Sequence, residues 1–259
     1  MNPSDHQAAI LDQFTRQARP FAQAPELHND AILALMVDAA QPAGCEHVLD
    51  IACGPGSVVV AFAPHVRRAT GLDATPAMLE QARALAAAQQ ATNVEWVIGD
   101  VEALPYPEAS FEIVTCRFAF HHFREPARAF AEMLRVCRPR GRVLVCDGIV
   151  HGDPAKAAEF NGMELLRDPS TVAFRSVDYL ASLYRGAGLA EPQTSFFRVP
   201  VERDDLIAKS FPANDDREGL RRLITASVEG DRMGLDSRRE GDTVWFAYRC
   251  VVLCGCKSA

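Results

Sequence analysis

The chain has 259 residues, 48% of them hydrophobic, enough to bury the core of one large α/β domain, and residues 1–259 are expected to fold as a single unit. A net charge of −7 with no basic run argues against a nucleic-acid backbone as partner, because phosphate binding relies on clustered Lys and Arg, so a small-molecule substrate is expected. No apolar stretch reaches the roughly 18 residues of a membrane span, and the opening MNPSDHQAAI lacks the basic-then-apolar order of a signal peptide, so the expectation is a cytoplasmic protein.

Ile10, Leu11, Phe14, Ala18 and Phe21 recur at near-helical spacing, and Pro25 then opens a second periodic stretch, Ile32 to Ala40. Two helices are therefore expected before the first strand, and such apolar stripes ordinarily cover a sheet.

The stretch from Val48 to Ala63, VLDIACGPGSVVVAFA, organises the rest of the chain. An apolar run ends at Asp50, small or turn-making residues come next at Ala52, Gly54 and Gly56, and a second apolar run begins, which predicts a buried parallel strand turning tightly into a helix. Glycine there permits positive φ and close approach of a ligand to the backbone, and a helix start offers unpaired N–H groups. Spacing separates the candidate cofactors. A dinucleotide fingerprint would need a third glycine where Val59 stands, and a Walker loop would need a Lys, whereas none occurs before Lys156. A nucleoside cofactor without phosphates remains, and here the loop resembles motif I of the class I S-adenosylmethionine (SAM) methyltransferases, D/E-x-G-x-G-x-G. Ala52 replaces the first glycine, a departure that adds only a methyl and suits the turn if φ is negative at that residue.

Ala69 to Asp73 reads as a second strand ending in an acid, whose carboxylate can accept hydrogen bonds from both ribose hydroxyls. Thr75 and Pro76 supply an N-cap and first position for the next helix, which leaves Asp73 free of that task. A third strand, Val94 to Asp100, ends in another acid. Asp100 with Val101 and Glu102 resembles the family's adenine segment, in which an acceptor meets the exocyclic amine and an aliphatic side chain covers the ring. A fourth strand, Phe111 to Cys116, leads into the aromatic and His-rich loop Arg117 to Phe123. Open α/β sheets bind ligands at the carboxyl ends of their strands, so this loop is where the reacting methyl is expected.

Within it, His122-Phe123-x-x-Pro126 looks like a turn common across the family in which the His is mostly structural, leaving His121 and Phe118 as the freer candidates. Arg117 is suited equally to contacting cofactor or substrate and to pairing with an acid. An amphipathic helix with Ala129, Phe130, Met133, Leu134 and Val136 comes next, then a turn at Pro139–Gly141 and a fifth strand, Arg142 to Asp147. AEMLRVCRPRG is similar to another family motif, REMLRVLRPGG. The order from Val48 to Asp147 is consistent with right-handed crossovers in one parallel sheet.

Farther on, ELLRDPSTV (Glu164 to Val172), a capped helix from Ser176 to near Gly186 and Gly188, and the strand Val244 to Cys256 resemble a bacterial subgroup of the YcgJ type, related to the menaquinone and ubiquinone methyltransferases. Leu189–Val201 and Thr243–Cys256 are the expected sixth and seventh strands, with helices between Arg203 and Gly234 over the pocket mouth. The resemblance implies a Rossmann-like α/β fold: a mostly parallel seven-stranded sheet, helices on both faces and an antiparallel C-terminal strand. It divides the chain into N-terminal lid helices (1–40), a SAM-binding core (41–150) and a C-terminal half carrying the substrate cap (151–259).

The cofactor set it implies is Asp50, Ala52, Gly54, Gly56, Asp73, Ala74, Asp100, Val101, Glu102 and Arg117, with Phe14, Phe21, Phe118 and His121 around a small, hydrophobic or aromatic acceptor. Methyl transfer is then an in-line displacement that needs alignment and dryness above all, and where a proton must leave the acceptor, His121 is the candidate base because imidazole titrates near neutrality. A SAM-binding cyclase or isomerase, and a SAM-binding regulator, are the alternatives. Eight cysteines lie mostly in strand-like runs as reduced thiols, and Cys250, Cys254 and Cys256 lack the spacing of a metal site, so no metal is expected.

Overall fold

A computed structural model of the chain describes residues 3–22 and 29–258, so the expected break at Pro25 lies outside the described residues. Strands β1 (His47–Ile51), β2 (Arg68–Asp73), β3 (Val94–Ile98), β4 (Phe111–Arg117) and β5 (Cys137–Gly148) are parallel neighbours in the order 3-2-1-4-5. The sheet then turns antiparallel. Strand β8 (Thr243–Cys256) lies against β5 from Arg142↔Cys256 to Gly148↔Cys250, and β6 (Gln193–Glu202) runs along its other side.

Successive residues of the central strands enter opposite cores, as a period of two demands. Val48, Ile113 and Leu144 join one cluster with Leu33 and Met36 of α2 (Asp30–Ala40), Val59 and Phe62 of α3 (Ser57–Phe62) and Leu79 of α4 (Pro76–Ala88). Leu49, Val114 and Val145 join the other with Phe130 and Met133 of α5 (Pro126–Val136) and Leu180 and Tyr184 of α7 (Val177–Gly186). Both faces are therefore dry, as expected for strands that read as near-continuous apolar runs. A third cluster, built by α6 (Pro154–Arg167), α8 (Arg203–Lys209), α9 (Arg217–Ala226) and the start of β8, forms a cap beside the sheet.

Three expectations are corrected. Among the described residues the sheet has eight strands, not seven, because Arg238–Glu240 forms β7 against the start of β8; all three residues are charged and exposed, so no apolar alternation announces them. Pro139–Gly141 is not a turn between elements but part of β5, where a register shift opposite Phe111–Ile113 and a left-handed Arg140 (φ +63°) absorb it. Ala52 takes φ +50° rather than a negative value. A Cβ in that region costs about 1 kcal/mol or more, so Ala52→Gly is expected to stabilise the protein by about 0.5–1 kcal/mol in urea denaturation, and a loss of stability would show that the methyl makes a compensating contact.

Helix α1 (Pro3–Ala22) lies across the carboxyl ends of the strands, packed on α4. Buried side chains tie it down: Gln17 Nε2 donates to Asp168 at 3.1 Å and Gln13 Nε2 to the Phe211 carbonyl at 3.3 Å. Helix α2, by contrast, packs against the sheet and lines neither of the two cavities at the strand ends.

Candidate active site

At the carboxyl ends of β1 to β4 lies a cavity of about 510 Å3. Asp50, Ala52, Gly54, Asp73, Ala74, Asp100, Val101, Glu102, Arg117 and Phe118 all line it, and α1 closes it with Phe14 and Phe21. Sequence order converts into spatial order because the strands run 3-2-1-4: Asp100 follows β3, Asp73 ends β2, Asp50 lies in β1 and Arg117 ends β4.

Gly54 sits at φ +51°, and a Cβ there would meet nothing within 4 Å, so the loop leaves open room beside its backbone. Gly56 does not line the cavity. Its φ is +85°, and a Cβ would fall 2.5 Å from the Trp96 ring and 2.8 Å from Ala82, so glycine is required there for helix, strand and ring to close up.

The two buried acids differ. Asp50 Oδ1 accepts from the Thr115 hydroxyl at 2.7 Å, and burial pushes its carboxyl up to about 7, with nearby Asp73 adding to that and Arg117 opposing it. Asp73 is also raised by burial, but its oxygens accept from the Gly54 and Thr75 backbone N–H groups, both at 2.8 Å, and from the Thr75 hydroxyl. This overturns the expected division of labour. Thr75 caps α4 only through its backbone position, and its side chain serves Asp73, so the acid is also the clamp of the glycine loop.

Asp100 is exposed and accepts from the Glu102 N–H at 2.9 Å, while Glu102 pairs with Arg128 at 3.4 Å across the cavity rim. Arg117 is half-buried, with its guanidinium 5.0 Å from the centre of the Phe118 ring. Phe118 itself takes φ +53° directly after β4, which turns its ring between this cavity and a second one.

The second cavity, about 150 Å3, adjoins the first and shares Phe21, Phe118 and His122 with it. His121 and His122 lie on a single 3-10 turn, Phe120–His122, and neighbouring positions on so tight a turn diverge. His122 stands edge-on to Phe14 at 4.9 Å, with Nδ1 3.1 Å from Ser170 Oγ, and burial together with its neighbour His121 keeps it well below the ordinary imidazole range, hence neutral. His121 lines only the smaller cavity, and it is the more firmly held of the pair. Asp147 accepts from its Nδ1 at 2.7 Å and from its backbone N–H at 3.0 Å. Asp147 carried a readable signal, an acid ending a strand like Asp73. Phe174, Leu206, Tyr248 and Cys250 complete the wall and carried none, since distant segments bring them in. All eight cysteines are free thiols.

The methyltransferase-domain family model matches residues 49–145. Over 247 residues the chain is 31% identical to YcgJ, an uncharacterized methyltransferase of Bacillus subtilis, spanning 92% of this chain and 98% of that protein. The crystal structure of YcgJ superposes with a TM-score of 0.78 over 88% of this chain and 98% of that one. A putative methyltransferase of Bacillus halodurans, BH2331, superposes with a TM-score of 0.81 at 28% identity, over 88% of this chain and 100% of that one. A demethylmenaquinone methyltransferase of Deinococcus radiodurans is 41% identical over 103 residues, which are 39% of this chain and 42% of that protein. With an end-to-end relative and the same doubly wound sheet, the chain belongs to the class I SAM-dependent methyltransferases.

Proposed function

We propose that this enzyme methylates a small, hydrophobic or aromatic molecule, with SAM in the larger cavity and the acceptor in the smaller. The observation that carries the reading is the adjoining of the two cavities across Phe21, Phe118 and His122, with charged strand ends in one and mostly apolar walls in the other. The residues fit the cofactor in order. Asp100 and Val101 take the adenine, Asp73 the ribose hydroxyls, and the methionine end lies between Asp50, which suits its ammonium, and Arg117, which suits its carboxylate. Ala52, Gly54 and Ala74 give backbone room, Glu102 closes the rim with Arg128, and Phe14 and Phe21 exclude water. Gly56 acts by packing alone.

SAM supplies an electrophilic methyl on a good leaving group. The chain's own task is therefore to align the acceptor and keep the junction dry, worth several powers of ten. His121, which lines the smaller cavity, would take a proton leaving the acceptor, and Phe118 lines both cavities.

Titration calorimetry tests the cofactor. SAM and its demethylated product S-adenosylhomocysteine are expected to bind, and NAD and ATP to fail, because neither the third dinucleotide glycine nor a phosphate-gripping Lys is present. Comparable NAD affinity would overturn the assignment.

A further inference from the structure

Resting on the methyltransferase reading, we propose that the smaller cavity takes a neutral single-ring phenol, that His121 Nε2 receives the phenolic proton, and that Asp147 is the residue that positions His121 for it.

Size comes first. A cavity of about 150 Å3 matches the space known to accept one benzene ring. The wall is built for a flat ring: Phe21, Phe118, Phe174, Val199, Val201 and Leu206 present apolar surface, and Phe174 stacks on His121 with centroids 4.1 Å apart and planes 11° off parallel. Phe174 reaches that place only because residue 148 is glycine, where a Cβ would fall 2.6 Å from its ring.

The polar groups then choose the ligand. Arg167 is committed to Glu164 at 2.8 Å, and the Tyr248 hydroxyl to the same acid at 2.6 Å. Asp168 is met by Ser170 and Gln17, and the Ser210 hydroxyl by the Leu206 carbonyl. These acids already have donors, so no bare carboxylate awaits an alkylammonium. His121 Nε2 makes no hydrogen bond among the described residues. A carboxylate only accepts, so the 2.7 Å contact to Asp147 places a proton on Nδ1, and in the neutral ring the lone pair is then on Nε2. Asp147 also accepts from the His121 and Gly148 backbone N–H groups, at 3.0 and 2.7 Å, which fixes backbone and ring together. What fits is an apolar ring with one acidic hydrogen.

The chemistry balances. The phenolic O–H bond breaks with its pair left on oxygen and the proton on Nε2. That oxygen bonds to the methyl carbon as the C–S bond breaks, and the C–S pair returns to sulfur. The products are an aryl methyl ether, S-adenosylhomocysteine and a proton released from His121 to solvent.

4-Nitrophenol reads the proton transfer without the cofactor, because its phenolate absorbs visible light and its neutral form does not. Added to the wild-type protein below the pH at which the free dye ionises, it should bind and show the phenolate band, whereas Asp147→Asn and His121→Gln should bind it without the band. With methyl-labelled SAM, single-ring phenols should be methylated on oxygen in preference to benzoate and alkylamines. Asp147→Asn should lower kcat by about 10²- to 10⁴-fold with KM for the phenol within a few-fold. Leu206→Trp guards against a variant that merely unfolds: it narrows the cavity from α8, so dye binding should vanish while SAM affinity stays within a few-fold. No dye binding to wild type, bound dye without the band, or an alkylamine as preferred acceptor overturns the proposal. Each of these outcomes is compatible with intact SAM binding, whereas failure to bind SAM sinks the methyltransferase reading itself.

Discussion

Replacing Asp73 with alanine is expected to weaken SAM binding by about 10- to 300-fold and to lower folding stability in the same variant. The first effect would come from the two proposed ribose hydrogen bonds to a charged acceptor, each worth about 1.5–3 kcal/mol, with water partly substituting in the mutant. The second comes from the groups the carboxylate already holds: the Gly54 and Thr75 N–H groups lose their acceptor, at about 1–3 kcal/mol for an unsatisfied buried donor, less the relief of no longer burying a charge. Asp73→Asn keeps one carbonyl but aims an amide at a second donor, so it should lie between alanine and wild type in both measurements. Calorimetry and urea denaturation on the three proteins check this. Affinity unchanged while stability falls would show that the acid serves only the loop.

Much of this site can be read before folding is known, because strand ends are where apolar periodicity stops and Asp50, Asp73 and Asp147 stand at or near those stops. The parallel direction of β1 to β5 follows from strand-like runs alternating with helical ones, and the α5 face from Ala129, Phe130, Met133 and Val136 at helical spacing. What a sequence conceals is conformation and convergence. Nothing in ACGPG tells that Ala52 takes positive φ, or that Gly56 must yield to a Trp96 forty residues on. The smaller cavity is assembled by α1, the loop after β4, the end of β5, the end of α6 and the segment after it, β6, α8 and β8, so its walls are legible only after long-range packing. In the sequence His121 stands out only as the freer of two adjacent histidines, whereas in the fold its importance lies in how tightly Asp147 holds it.

Asp50→Asn is expected to raise the stability of the ligand-free protein at pH 8 by about 1–4 kcal/mol while making it less responsive to pH. A carboxyl of ordinary value 3.8 that folding pushes up to about 7 binds its proton more tightly in the native state than in the unfolded chain. Its contribution is therefore fully favourable below about pH 4 and is lost as pH rises toward 7, a penalty on the order of 4 kcal/mol once ionised. An amide keeps the oxygen that accepts from Thr115 and has no charge to desolvate, so the variant escapes that decline, and the loss of attraction to Arg117 trims the gain. The ligand reverses the balance. In the proposed pose SAM would bring a sulfonium and an ammonium to the same strand end, which favours the ionised acid, so wild-type affinity should rise by up to about tenfold per pH unit between pH 5 and 7, with proton release on binding. S-adenosylhomocysteine lacks the sulfonium charge and should show a shallower slope, and Asp50→Asn should flatten both. Calorimetry in buffers of different ionisation enthalpy counts the released proton. A pH-independent SAM affinity, with identical curves for wild type and Asp50→Asn, would place the cationic end of the cofactor away from Asp50 and move the acid to a purely structural role with Thr115.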